Sequence, residues 1–274
     1  MTTLHVTVWD ETGGEGVPSV FAHNIFTWGS DEAYGFAAQR PLADNYRLLL
    51  ADRRGYGGSP DTERSDFETD ADDLVELLAR QDGGAHLVGH GNGGLAAMLA
   101  AGRRPDLVRS LTLIQPAAFS AAAGHPVVKA MLERVRDSAG VPDSVTPEQY
   151  LRASTEGLGM AMPEPTPERL RAVATSMRER PVWEAEVPLE PLRDAPWPTL
   201  VICGTWQDAP ELYRTYAGEP LIACAEAVTD TVGARLLRVP GYYPHTQQPA
   251  AVNAALRELW GRVGVAEATR AMCS

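Results

Sequence analysis

The chain is predicted to be of the α/β class: a mostly parallel central sheet flanked by helices, with a helical cap inserted late in the chain. Three observations predict it. Strand-like apolar runs alternate with helical runs before residue 117 and after residue 198, an order that gives parallel strands joined by right-handed crossovers. The stretch His86-Leu87-Val88-Gly89-His90-Gly91-Asn92-Gly93-Gly94 passes from an apolar run into a glycine cluster and then into the helix formers of residues 95–101. That pattern reads as strand, very tight turn, helix. Between residues 117 and 198 strand signals vanish, and Met- and Ala-rich helical runs are punctuated by proline clusters.

Taken in order, residues 4–9 alternate apolar and polar and read as an edge strand. Residues 17–22 form a second strand that runs into His23-Asn24-Ile25-Phe26-Thr27-Trp28-Gly29. Residues 31–42 have helical character, and 46–51 are a third strand followed by Asp52-Arg53-Arg54-Gly55-Tyr56-Gly57-Gly58-Ser59-Pro60. Residues 67–81 make an acidic amphipathic helix with Leu74, Leu77 and Leu78 at helical spacing. After the glycine-rich turn and its helix, residues 108–114 are a strand ending at Gln115-Pro116. Helical runs at 127–138, 148–158 and 168–178 follow. Residues 199–203 resume as a buried strand closed by Gly204-Thr205-Trp206-Gln207-Asp208, and 213–228 are helical in part. The last strand, 235–239, leads into Gly241-Tyr242-Tyr243-Pro244-His245; residues 251–263 are the final helix, and the tail to Ser274 frays. The expected division is a core of residues 1–116 and 199–274 with a helical cap of 117–198.

The bulk composition excludes several functions. With 274 residues, 44% of them hydrophobic, the chain can bury a sizeable core. No apolar run is long enough for a membrane span, and the first ten residues carry no secretory pattern. A formal net charge of −12 argues against nucleic acid and anionic membranes as partners. Cys203, Cys224 and Cys273 form neither a disulfide framework nor a metal spacing, which suits a reducing cytoplasm. His and Cys are too few and scattered for a metal set, and no dinucleotide fingerprint follows the first strand, so no cofactor is expected. A homodimer is compatible with the sequence and not specified by it.

In parallel sheets, sites lie at the carboxyl ends of the strands. His23, Asp52, Gly91, Gln115, Asp208 and His245 all follow strand ends, so the predicted topology gathers them on one face.

Four features together resemble the α/β-hydrolase superfamily over nearly the whole chain: His23-Asn24 after the second strand, the Asp52–Ser59 loop, the glycine-rich elbow, and Gly241, Pro244 and Pro249 before the last helix. The resemblance implies a nucleophile, an orienting acid and a base in chain order. It places the nucleophile slot at Gly91, which has no side chain, so no acyl-enzyme can form there. It places the acid at Gln207 or Asp208. It aligns Tyr242 with the base slot, while His245 falls three residues late and reaches the pocket only through an altered loop. Ser-type hydrolysis is therefore not expected.

The polar groups that remain suggest other chemistry. The Asn92 amide opens a helix, where negative charge is favoured, and with Asn24 it can polarise a carbonyl, enolate or phenolate oxygen. Tyr242 is a hydrogen-bond donor or acid/base, and His245 with Asp208 or Gln207 is a base–orienter pair. His23 closes the loop beside the elbow, Gly91 leaves room above the sheet, and both, with Gln207, are candidate substrate contacts. Trp28, Trp206 and Tyr243 are candidate walls for a flat apolar ligand. The expectation is a non-hydrolytic, cofactor-independent enzyme that acts on an apolar, oxygen-rich small molecule. The expected reaction is a cyclisation, elimination, isomerisation or rearrangement, as in superfamily members of specialised metabolism. The alternatives are a ligand-binding pseudoenzyme and a hydrolase in which His245 activates water.

Overall fold

The computed structural model describes residues 3–136 and 140–272. The expected helix end at Ser138, the Cys273 thiol and the tail end at Ser274 lie outside the described residues. Seven strands form one sheet in the order β1-β3-β2-β4-β5-β6-β7. They are β1 (Val6–Trp9), β2 (Val17–Ala22), β3 (Tyr46–Ala51), β4 (Ala85–His90), β5 (Val108–Ile114), β6 (Thr199–Gly204) and β7 (Arg235–Val239). Only β1 pairs antiparallel, on β3; the other five pairings are parallel.

Each strand alternates its side chains between two layers, as period-two geometry requires. On one face Val20, Leu49, Leu87, Leu111, Leu113 and Val201 pack with α1 (Phe67–Ala79), α2 (Asn92–Arg103) and, further on, α8 (Glu219–Val232). On the other, Phe21, Leu48, Leu50, Val88, Ile114 and Ile202 pack against Val252, Leu256 and Trp260 of the last helix. The edge strand β1, by contrast, is largely half-buried.

Between β5 and β6 the described residues contain helices and no strand: α3 (Pro126–Arg136), α4 (Pro147–Thr155), α5 (Pro167–Ser176) and α6 (Leu189–Arg193). Pro126, Pro147 and Pro167 open α3, α4 and α5, since proline at a first helical position loses no hydrogen bond. Thr146 and Thr166 cap α4 and α5, accepting from the Gln149 and Arg169 amides. α5 is bound to the loops after β2 and β3. Thr175 donates to the Gly55 carbonyl at 2.7 Å, Arg171 donates to the Gly57 and Ser59 carbonyls, and Arg169 forms a bidentate, buried pair with Asp31.

Three expected elements differ. Helix at residues 31–42 is replaced by turns and a 3-10 helix, Ala37–Asp44, because Pro41 supplies no N–H to continue an α-helix. The helix expected in part at 213–228 runs from α7 (Glu211–Tyr213) through a π turn at Arg214–Gly218 into α8. In that turn Gly218 lies directly on the Trp206 ring, where a Cβ would sit 2.5 Å from it. The final helix is longer than 251–263: after the short α9 (Pro244–Gln247), α10 spans Pro249–Met272. Among the described residues no helix is long and apolar enough to cross a membrane.

Candidate active site

The turn between β4 and α2 keeps a strained elbow. Gly91 has φ +55° and ψ −117°, a backbone state that disfavours L side chains. Its neighbour Gly93 lets α2 start against β2; a Cβ there would lie 2.3 Å from the Ala22 carbonyl oxygen. The space above Gly91 is not open. A Cβ on Gly91 would meet Asn24 Oδ1 at 2.2 Å and Asn24 Nδ2 at 2.6 Å. The Asn24 side chain thus stands where a nucleophile would stand. Its Oδ1 accepts the Asn92 backbone amide at 3.0 Å. Because an amide N–H only donates, this bond fixes which end of the Asn24 amide is oxygen and leaves Nδ2 as the donor end beside the elbow. The expectation that Gly91 provides room and that the Asn92 amide is free is corrected: one side chain fills the room and takes the donor.

Asn24 is held in turn by His23. The Arg53 amide donates to His23 Nε2 at 2.9 Å, so the ring proton sits on Nδ1 and is donated to the Asn24 carbonyl at 2.6 Å. Burial, with Arg53 nearby, keeps His23 neutral, its pKa well below the usual imidazole value. His23 is a scaffold group with no exposure.

The acid–base side of the expected site is rebuilt as packing. Gln115, at φ +45°, accepts from the Gly204 amide and Trp206 Nε1 through Oε1 and donates to the Tyr242 carbonyl through Nε2. It joins the loops after β5, β6 and β7. Trp206, also at positive φ, is buried under Tyr213 and Tyr242. Gln207 and Asp208 are both exposed, so neither serves as a buried orienting acid. His245 is fully buried. Its Nε2–H donates to the Tyr34 carbonyl at 3.1 Å, its Nδ1 is unpartnered, and its ring lies 4.3 Å from that of His90. Burial lowers the His245 pKa to about 4. The proposed pairing of His245 with Asp208 or Gln207 is therefore absent, because the turn after β7 directs the imidazole under the elbow.

A cavity of about 1390 Å³ lies between the elbow and the helices of the inserted segment. Of the sequence-derived candidates, Asn24, Gly91, Asn92 and Tyr243 line it. Tyr242, His245, Asp208, His23, Trp28, Trp206 and Gln207 lie off that wall. Trp28 is turned aside under the Arg169 guanidinium, 4.8 Å from its ring centre. Tyr242 packs edge-on to Tyr213 and Tyr243, at centroid distances of 5.9 and 5.3 Å. Tyr243 reaches the wall instead and shares a 2.7 Å hydroxyl–hydroxyl bond with Tyr213. Burial pushes the Tyr213 phenol up to about 12 and raises Tyr243, Tyr34 and Tyr150, so these wall phenols remain protonated donors.

One wall residue escaped the sequence reading. The side chain of Glu179, just beyond α5, is 5% exposed and meets Arg53 at 2.6 Å. It also accepts from Tyr56 Oη at 2.8 Å and from Asn92 Nδ2 at 3.2 Å. Arg53 is completed by Asp70 at 2.7 Å, and burial raises that carboxyl to about 6. Asp52 accepts from the Gly29 and Gly58 amides and pairs with His5. A lone Met-Arg-Glu-Arg run gives no sequence signal for the burial of its glutamate; docking of α5 on the loop after β3 creates it.

The chain matches the Alpha/beta hydrolase family over residues 20–255. Among curated relatives, it is 33% identical over 136 residues to the sn-1-specific diacylglycerol lipase ABHD11 of Danio rerio, a match covering 48% of this chain and 42% of the relative. It is 37% identical over 105 residues to 2-(acetamidomethylene)succinate hydrolase of Mesorhizobium japonicum, covering 37% and 36%. These matches span about two fifths of the relatives' lengths. Among solved structures, a hydrolase from Pseudomonas aeruginosa PA01 superposes with TM-score 0.64 at 22% identity, covering 94% of both chains. The enol-lactonase of Burkholderia xenovorans LB400 superposes with TM-score 0.59 at 18% identity, covering 94% of this chain and 96% of that one. The structural likeness concerns the fold.

Proposed function

The chain belongs to the alpha/beta hydrolase family, and from that premise we propose that it is a non-hydrolytic enzyme acting on a bulky, apolar, oxygen-rich small molecule. The observation that carries this reading is the Asn24 amide beside Gly91, in the place of a nucleophile and already holding the Asn92 amide. Acyl transfer through a covalent intermediate at the elbow has no side chain at Gly91 to start from. Asn24 Nδ2 is instead the polarising donor. Its carbonyl end is bonded to the first helical amide of α2, which draws electron density from the side chain and strengthens the N–H donors. A substrate carbonyl, enolate or phenolate oxygen placed there is stabilised as negative charge develops. The protonated phenols of Tyr34 and Tyr150, and one hydroxyl of the Tyr213–Tyr243 pair, supply further donors on the same wall. Cyclisation, elimination, isomerisation or rearrangement needs positioning and such polarisation, not a nucleophile. We take residues 117–198 as the cap over the substrate. The same reading sets the protein in the cytoplasm, without cofactor or nucleic-acid partner, as its acidic charge and unpaired cysteines suggest.

A second reading, a ligand-binding protein without turnover, is favoured by one observation: the oxygens of Glu179, a wall carboxylate bonded to the elbow residue Asn92, are already engaged by Arg53, Asn92 and Tyr56. Water activation by His245 has no such support, since that ring is buried off the cavity wall.

The test is single-turnover incubation of stoichiometric protein with a panel of polycyclic phenols and β-dicarbonyl compounds, followed by mass spectrometry. Conversion that is lost in Asn24→Leu supports the enzyme. Tight binding with no product supports the second reading, and conversion unaffected by Asn24→Leu contradicts the role of Asn24.

A further inference from the structure

The unpaired charge on the described cavity wall is positive. The chain as a whole has a formal net charge of −12. Many of its arginines face carboxylates, as Arg103 faces Glu68 and Asp72, and Arg257 faces Asp44. Along the cavity the balance reverses. Arg64, Arg136 and Arg178 line it, are exposed, and have no ion pair among the described residues. The described wall holds two carboxylates, Glu179 and Glu184, and both are neutralised, by Arg53 at 2.6 Å and by Arg180 at 3.1 Å. Arg64 and Arg178 also lie on adjoining segments, since the Arg180 amide donates to the Ser65 carbonyl at 2.8 Å. Deeper residues of the same wall, among them Phe119, Met131, Leu132 and Leu221, are apolar.

We propose that the molecule held here is an amphiphilic organic anion, its apolar body against the elbow and cap and its charged group held by Arg64 and Arg178 at the cavity mouth. This rests on the small-molecule reading above and names the substrate class within it. The physical reason is twofold. Unpaired guanidinium groups converging on one cavity supply planar forks suited to carboxylate, sulfonate or phosphate. In an acidic protein such a patch also gives a local potential opposite to the surroundings, which draws an anion to this mouth and nowhere near the rest of the surface. A neutral ligand would use neither feature.

The test compares two fluorescent probes with the same aromatic skeleton, 1-anilinonaphthalene-8-sulfonate and the neutral N-phenyl-1-naphthylamine. Each is titrated into wild type and into the Arg64→Gln/Arg178→Gln double variant, and mutual displacement establishes that they share one site. Both arginines are exposed and unpaired, so the fold does not depend on them, and neutral-probe binding reports that it is intact. The expected result is that the sulfonate binds about tenfold more weakly to the double variant, the cost of losing a charged hydrogen bond. Its wild-type affinity should also fall with added salt while the neutral probe is unchanged in both respects. Equal sulfonate affinity for the two proteins, or an equal loss for both probes, overturns the anion proposal and leaves the small-molecule cavity standing. Failure of both probes to bind wild type overturns the cavity reading and the proposal with it.

Discussion

Asn24 and Asn92 are joined by a hydrogen bond from the Asn92 backbone amide to Asn24 Oδ1 at 3.0 Å. The bond draws a loop side chain from the end of β2 across the elbow, into the volume above Gly91. Glycine at position 91 is therefore required by packing as well as by backbone conformation.

Gly91→Ala should cost about 2 kcal/mol of stability, from strain at φ +55° and from a Cβ 2.2 Å from Asn24 Oδ1. Asn24→Ala removes the second cause. A double-mutant cycle in urea should show a coupling of about 1 kcal/mol between the two changes. Strict additivity would mean that the side chains do not compete for this space.

Glu179 fastens the segment after α5 to the core and to the elbow at once. Glu179→Ala leaves the buried Arg53 with Asp70 alone and the Tyr56 hydroxyl without its carboxylate, and should cost about 3–5 kcal/mol. Glu179→Gln, whose one oxygen can still accept from Arg53 and Asn92 while its amide end faces the Tyr56 hydroxyl, should cost less. The check is a urea midpoint series, and a Glu179→Ala variant within about 0.5 kcal/mol of wild type would contradict the assignment.

The central strands are legible because parallel strands buried on both faces leave short continuous apolar runs: strands are expected at residues 17–22, 46–51, 108–114 and 235–239, and those spans are observed. The site was less legible, for physical reasons. Whether Tyr242 or Tyr243 faces the cavity depends on one turn, in which Gln247 Oε1 accepts both of their amides and fixes the loop. The direction of His245 depends on a carbonyl far away in sequence, that of Tyr34. The burial of Glu179 arises only when α5 docks. Local pattern carries none of these long-range bonds.

Buried histidine also sets an acid limit. His245 titrates near 4 in the folded protein against an ordinary 6.5, so below pH 6.5 the unfolded chain takes up the proton first. Its contribution to stability is fully present above pH 6.5 and is lost as pH falls toward 4, on the order of 3 kcal/mol in total. His86, lowered to about 3, acts in the same sense, and Asp70, raised to about 6, acts in the opposite one. Both are common to wild type and His245→Gln, while buried His90, its ring 4.3 Å from His245, is coupled to it, so the difference between the two proteins reports the His90–His245 pair. Stability measured at pH 7 and pH 4 should fall less in His245→Gln than in wild type; an identical fall would mean that the ring is not buried neutral.

The central claim is that this elbow has no route through an acyl-enzyme, because Asn24 holds the nucleophile's place. It is tested most directly by mixing the protein with p-nitrophenyl butyrate and with a fluorophosphonate, then reading nitrophenolate release and intact protein mass together. The account predicts no burst, release at the rate of buffer alone, and an unchanged mass. A stoichiometric burst, or a covalent adduct on a residue of the cavity wall, would contradict it.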